Sequence, residues 1–261
     1  MITNLLAADR GVLRVLERNA RANLRMWPLF LSGLVEPLLY LLSIGVGLTA
    51  LVGPVSAPDG RAVSYEEFLA PAMLAVSAMN TAVINTTFVF FHKFKYAGTF
   101  DAMLTTPLDV RDMVRGELAW ALACTTAYAC VFLATMAAMG LTGSAWCVLA
   151  VPAATLIGFA FAGAGLGLAT FMRSYVDFDY VHVVVTPLFL FSATFFPIDR
   201  YPSLLAQLLR LSPLYQGIAL QRALVAGHLT PGLLIHVGFL TLMGWLGLRL
   251  ASRRLRLLLQ P

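Results

Sequence analysis

The chain has 261 residues, of which 59 % are hydrophobic and 12 % charged, with a formal net charge of +5. A soluble domain carries roughly 25 % charged residues; here the apolar residues gather in runs of about twenty, long enough to cross a ~30 Å hydrocarbon core as helix. Continuous runs rather than two-residue alternation exclude a β-barrel, and basic residues clustered beside those runs read as orientation charges, which argues against nucleic acid as a partner.

Residues 2–25 predict an amphipathic helix that does not span. At 3.6 residues per turn, Arg10, Arg14, Arg18, Arg21 and Arg25 fall within an arc of roughly 80°, and Leu5, Leu6, Val12, Leu13, Leu16 and Leu24 take the opposite side. A basic face opposed to a leucine face suits a helix lying in the cytoplasmic interface. The plainer alternative is a solvated helix packed on a partner. Five arginines without a small-residue cleavage site do not read as a removable signal peptide.

Six spans follow, at about 27–51, 68–91, 115–140, 147–172, 179–197 and 230–250. In the first, Glu36 precedes Pro37 and is the one acid well inside an apolar run. An intramembrane ionisable group is a functional candidate: a proton site, a substrate contact, or a carboxylate hydrogen-bonded across a helix interface. The second span closes on Phe88, Phe90, Phe91, Phe94 and Tyr96, which suits interfacial anchoring or, more sharply, an entry gate for lipid headgroups.

Between the second and third spans lies Phe94–Glu117, a polar, mildly basic insert. It opens on a Gly-Thr turn, continues as a short amphipathic piece and breaks at Thr106-Pro107. Reversing the chain needs only a handful of polar residues, so this insert predicts a docking element for another protein. Further along, Cys124, Cys130 and Cys147 lack metal-ligand spacing and read as small apolar residues. Gly163, Gly165 and Gly167 follow no strand, which rules out a dinucleotide loop; Gly163 and Gly167 instead form a small-xxx-small packing face.

Pro187 interrupts the fifth span and predicts a kink, not an end. Tyr201–His228 then holds two apolar pieces broken at Ser212-Pro213, each too short to cross. A helical hairpin dipping into the outer leaflet fits them. His92, His182, His228 and His236 are scattered without metal spacing, and no Ser-His-Asp or paired-carboxylate arrangement is present. There is no GxxxxGK phosphate loop.

With the N-terminus inside, fourteen Lys and Arg fall in inner segments and only Arg61, Arg200, Arg210 and Arg222 in outer ones. That bias fixes orientation, and an even span count places both termini in the cytoplasm. No internal repeat or linker divides the chain, so residues 1–261 read as one all-α integral membrane domain.

Three stretches, in this order, resemble the permease of ABC-2 type exporters, most closely the nodulation-factor and daunorubicin-type branch. Gly98-Thr99-Phe100-Asp101-Ala102-Met103-Leu104-Thr105-Thr106-Pro107-Leu108 is similar to that family's GT-x-(D/E)-x-LL-x-TP-(L/V) cytoplasmic segment, which includes its coupling helix. Thr186–Pro197 is similar to its P-L-x-F-L-S-G-x-x-F-P ending of the fifth span. Leu211-Ser212-Pro213-Leu214, with Arg222 following, is similar to the L-x-P-L…R segment of the outer hairpin, and the Glu36-Pro37 pair also occurs in that branch. Two departures stand out: Lys95-Tyr96-Ala97 where the family often has Arg-Glu, and Ala193 in place of a common glycine, which suggests slightly altered helix packing.

The resemblance implies a half-transporter in the bacterial cytoplasmic membrane. Two copies of the chain would form the path, and a cytoplasmic ABC ATPase subunit, carrying ATP and Mg, would bind each. No cofactor or metal is expected on this chain. Gly98, Thr99, Phe100, Asp101, Met103, Leu104, Thr106 and Pro107 would couple to the ATPase, with Asp101, Met103 and Leu104 facing it. Phe195, Phe196 and Pro197 sit where an outer gate belongs. Substrates with a lipid tail or greasy body are implied: glycolipids, lipo-oligosaccharides or hydrophobic drugs. The rivals are a proton-coupled secondary transporter using Glu36, disfavoured by the lack of an inverted repeat, and an intramembrane enzyme, disfavoured by the lack of a reactive constellation.

Overall fold

The computed structural model describes residues 2–24, 35, 37–56, 60–106 and 108–259. Glu36, Arg25 and Pro107 therefore lie outside the described residues, as do the side chains of Arg10, Asp101 and Leu104. The chain opens with α1 (Ile2–Leu24). A π-helical turn at Leu41–Val46 leads into α2 (Gly47–Val52). A two-stranded antiparallel hairpin, β1 (Val55–Ser56) and β2 (Ala62–Val63), delivers the chain to α3 (Tyr65–Ile84). Ser64 caps α3 in a reciprocal box with Glu67, which satisfies two of the free N–H groups at the helix start.

α3 runs through a π-helical turn (Asn85–Val89) into α4 (Phe90–Lys95), and a tight turn then starts α5 (Thr99–Leu104). α6 covers Val110–Ala138, and a 3-10 turn (Ala145–Leu149) opens α7 (Ala150–Ala169). α8 (Asp177–Phe191), α9 (Ser203–Arg210), α10 (Pro213–Ala226) and α11 (Leu233–Leu259) complete the described elements.

Among the described residues, four helical stretches are long and apolar enough to cross a membrane: Tyr65–Lys95, Val110–Ala138, Ala145–Ala169 and Leu233–Leu259. They overlap the predicted spans 68–91, 115–140, 147–172 and 230–250. The predicted span 27–51 falls partly outside the described residues; its described part is helical. The predicted span 179–197 differs. Its helix, α8, has 15 residues, about 22 Å at 1.5 Å per residue. Pro187 lies inside it, as expected. The helix ends at Ser192 because Ala193 adopts φ +57°, a left-handed conformation that no α-helix continues through.

α7 is central, packed against α3, α6, α10 and α11. Its small residues set that position. An added Cβ on Gly163 would lie 2.9 Å from Gly244 Cα in α11, and one on Gly247 would lie 2.5 Å from Ala164 N. The predicted small-residue face is thus a backbone-on-backbone crossing. Phe90, Phe100, Phe132, Met73, Met79 and Met136 fill the core. Phe90 and Phe91 are fully buried, so much of the aromatic run at the inner end of the second span is core, not an interfacial rim; Phe88 and Tyr96 are the exposed members.

Candidate functional site

The polar insert folds as its sequence suggests. Gly98 stands at φ 58°, the left-handed turn that only glycine adopts without strain. It reverses the chain out of α4 and into α5. Phe100 anchors the short helix from beneath, 5.2 Å from the Phe90 ring and 5.9 Å from Phe94. Thr105 and Thr106 close it by donating their hydroxyls to the carbonyls of Ala102 and Met103. Met103, expected to face a partner, is buried at 7 % exposure, and Thr99 and Phe100 are buried with it. Among the described side chains, Ala102, Thr105 and Thr106 face outward, with Lys95, Tyr96, Ala97 and Gly98 beside them.

α1 packs on α6, and its described side chains, residues 11–22, present three faces. Gly11, Val15 and Asn19, four residues apart, form a buried stripe against α6. The approach is close: an added Cβ on Gly116 would meet Val15 Cβ at 2.5 Å. Arg14, Arg18 and Arg21 occupy the next arc and are exposed, while Leu13 on the far side is 60 % exposed. Arg18 donates to Thr99 Oγ1 at 3.2 Å, which fastens α1 to the start of α5. Arg21 pairs with Glu17 along the helix. From the other end of the chain, Arg256 reaches Asp109, just before α6, at 3.3 Å.

Beneath these contacts lies a buried charged cluster. Lys93 Nζ lies 2.7 Å from Glu117 Oε2 and 2.9 Å from Asn19 Oδ1, and Asn19 Nδ2 donates to Glu117 Oε1 at 3.1 Å. Glu117 is only 3 % exposed. Sequence reasoning passed over this pair because each member sits at the margin of an apolar run. The signal was Glu117, two residues inside the predicted third span and without an acidic or basic neighbour on its own helix face.

The C-terminal end of α8 is held by other elements. Ser192 and Ser212 share a buried hydrogen bond of 2.6 Å. Arg222 donates to the carbonyls of Ala193 (2.9 Å), Thr194 (3.2 Å) and Phe68 (3.3 Å), and its guanidinium lies 3.7 Å above the Phe68 ring. Burial lowers the Arg222 pKa to about 9, so it remains charged at neutral pH. Tyr65 donates to the Phe195 carbonyl at 3.3 Å, and the Phe195 ring packs edge-on against Phe189. Phe196 is 58 % exposed. Pro197 joins Glu67, Phe68, Asp199, Tyr215 and Arg222 in lining a cavity of 720 Å³. Phe195, Phe196 and Pro197 are therefore one turn with three environments. Within this turn Ala193 holds a left-handed backbone, φ 57°, a conformation that glycine adopts without strain.

A family model for the ABC-2 type transporter matches residues 10–226, from within α1 to the end of α10. The chain belongs to the ABC-2 type transporter family. Nodulation protein J of Rhizobium leguminosarum bv. trifolii is 36 % identical over 211 residues, covering 80 % of this chain and 79 % of that one. Nodulation protein J of Neorhizobium galegae is 34 % identical over 233 residues (87 % and 86 %), and that of Rhizobium meliloti (strain 1021) is 32 % identical over 232 residues (88 % and 87 %). As an ABC-2 permease the chain is a multi-pass transmembrane subunit, and family membership implies pairing with an ABC ATPase subunit. Glu36, the residue on which a proton-coupled mechanism would turn, lies outside the described residues.

Proposed function

We propose that this chain is the permease subunit of an ATP-driven exporter that moves an amphipathic, lipid-linked substrate, a lipo-oligosaccharide or glycolipid, out of the cytoplasm or inner leaflet. Two copies form the path, each bound by one cytoplasmic ATPase subunit, in a bacterial inner membrane with both termini cytoplasmic. Six spans build each copy: the four long helices, α8, and the helix that ends in α2. The similarity to Nodulation protein J over most of both chains supports the substrate class. The observation that carries the reading is α5 itself. A six-residue helix is braced from beneath by Phe100 and Met103 and from the side by Arg18, and its face of Ala102, Thr105 and Thr106 is turned to solvent. A helix this short is not stable alone, and its bracing suits an element that receives force.

The test is purification of the tagged chain co-expressed with its neighbouring genes, with mass analysis of the assembly. The expected result is two permease copies with two ATPase subunits. Ala102→Arg and Thr105→Arg change exposed positions that cost the fold little, and they should release the ATPase and abolish transport. A chain that purifies alone, or an ATPase retained by both variants, refutes the reading.

A further inference from the structure

We infer that Asn19, Lys93 and Glu117 are positioning residues that join α1, α4 and the inner end of α6 into one rigid coupling body, and that the π-helical turn Asn85–Val89 is the hinge about which this body moves. The inference rests on the permease reading above and adds where the motion is transmitted and where it is absorbed.

Each member of the cluster comes from a different helix and bonds to both others: Lys93 to Glu117 and Asn19, and Asn19 to Glu117. The ring is closed, and Glu117 is 3 % exposed. Parting α4 from α6 would leave a buried charge unpaired, and parting α1 from either would break a hydrogen bond to a charged group; both cost more than sliding one apolar surface over another. Gly11 and Gly116 bring α1 and α6 so close that an added Cβ at either position would meet Asp112 or Val15 at 2.9 Å or less. Arg18, on the same helix as Asn19, adds α5 to the body through Thr99. Force delivered at α5 therefore moves α1, α4 and the inner end of α6 together.

α4 is, however, the inner continuation of the same helical rod as α3. If the rod were stiff, the whole second span would have to follow. Its winding changes at Asn85–Val89, where the helix widens and its hydrogen bonds step over one more residue than in an α-helix; Pro71, earlier in α3, lacks one N–H but leaves the α-helical winding unchanged. Three side chains serve the carbonyls that this widening loosens. Thr86 donates to Ala82 at 2.7 Å, Thr87 to Val83 at 2.7 Å, and Asn85 to Thr81 at 2.9 Å. Hydroxyls that supply their own hydrogen bonds let the rod bend without stranding buried carbonyls.

The test uses the complete permease–ATPase assembly, with Cys130 and Cys147 replaced by alanine. Spin labels go on the exposed positions Glu17, Arg111 and Ile84. Between nucleotide-free and ATP-trapped states, the Glu17–Arg111 distance, within the body, should stay constant. The Glu17–Ile84 distance, across the turn, should change. A changing Glu17–Arg111 distance, or a constant Glu17–Ile84 distance in an assembly that turns over, overturns the inference. Glu117→Gln should lower transport per ATP hydrolysed by about tenfold while the ATPase stays bound, and the charge exchange Lys93→Glu with Glu117→Lys should restore most of it. Unchanged coupling in Glu117→Gln also overturns the inference, and if that variant does not assemble, the label distances decide. A wild-type chain that brings down no ATPase instead removes the permease reading on which this rests.

Discussion

Replacing Gly163 with alanine tests whether α7 and α11 cross at backbone contact. The added Cβ would stand 2.9 Å from Gly244 Cα and nearer still to the Gly244 carbonyl oxygen. Carbon atoms attract best at about 3.5–4.0 Å, so the two helices must part by roughly an ångström. Neither obstacle is a side chain that could rotate away. Overpacking a tight site costs about 1–3 kcal/mol, and backbone on both sides puts this case at the upper end. Alanine's better helix propensity returns about 1 kcal/mol. The net is about 2 kcal/mol, or about 4–8 °C in the melting temperature of a chain this size. The assay is thermal unfolding of the purified permease, with two internal controls. Gly238, on α11 itself, has nothing within 4 Å of where an added methyl would stand, so Gly238→Ala should leave the melting temperature unchanged or raise it. Gly167→Ala meets its nearest neighbour at 3.4 Å and should cost little. Equal melting temperatures for Gly163→Ala and Gly238→Ala would refute the crossing.

Three further outcomes follow from the outer turn and the inner loop. Arg222→Ala removes the donor to three carbonyls and should cost about 2–3 kcal/mol, read as a lower melting temperature; Arg222→Lys keeps the charge but not the planar fork and should recover only part of it. Ala193→Gly relieves the left-handed backbone and should raise stability by up to about 1 kcal/mol, which the same melts would show. Asp177 accepts from the backbone N–H groups of Arg173 (2.6 Å) and Ser174 (3.1 Å), which hold its carboxyl below the ordinary 3.8. A depressed acid stabilises the fold above its unfolded value and loses that contribution as pH falls through its folded one. Wild type should therefore melt above Asp177→Asn at pH 7, and the two curves should converge below pH 3.8.

The sequence made some of this architecture plain and concealed the rest for definite physical reasons. Long apolar runs announce spans because nothing else tolerates them, and four of the six predicted runs contain helices of crossing length. Gly98 and the Ser212-Pro213 break were legible because left-handed turns and proline restrict the backbone whatever surrounds them. The fate of Met103 was not. On a short amphipathic helix the apolar side is visible, but whether it meets the chain's own core or a partner depends on Phe90 and Phe94, which tertiary packing alone brings to it. The stripe Gly11, Val15 and Asn19 was hidden for a similar reason. A wheel sorts arginines from leucines, yet the face between them, built of one glycine, one valine and one asparagine, carries no hydropathy signal. Lys93 and Glu117 were hidden because pairing across 24 residues and two helices leaves no local pattern.

The two ends of the permease are held by different chemistry. At the inner end the link is an ion pair with an amide bridging it, in a site from which Glu117 is almost wholly withdrawn from solvent. Breaking it strands charge, so the inner contacts favour motion as a unit. At the outer end the links are a hydroxyl pair, a phenol on a carbonyl, and a guanidinium on three carbonyls, beside a 720 Å³ cavity. The acceptors there are neutral, but the donor Arg222 is a buried guanidinium held by three carbonyls and the Phe68 ring, so opening the turn at 192–197 also has to re-house a charge. Both ends therefore resist parting, one through a closed ion pair and the other through a single cation spread over backbone acceptors.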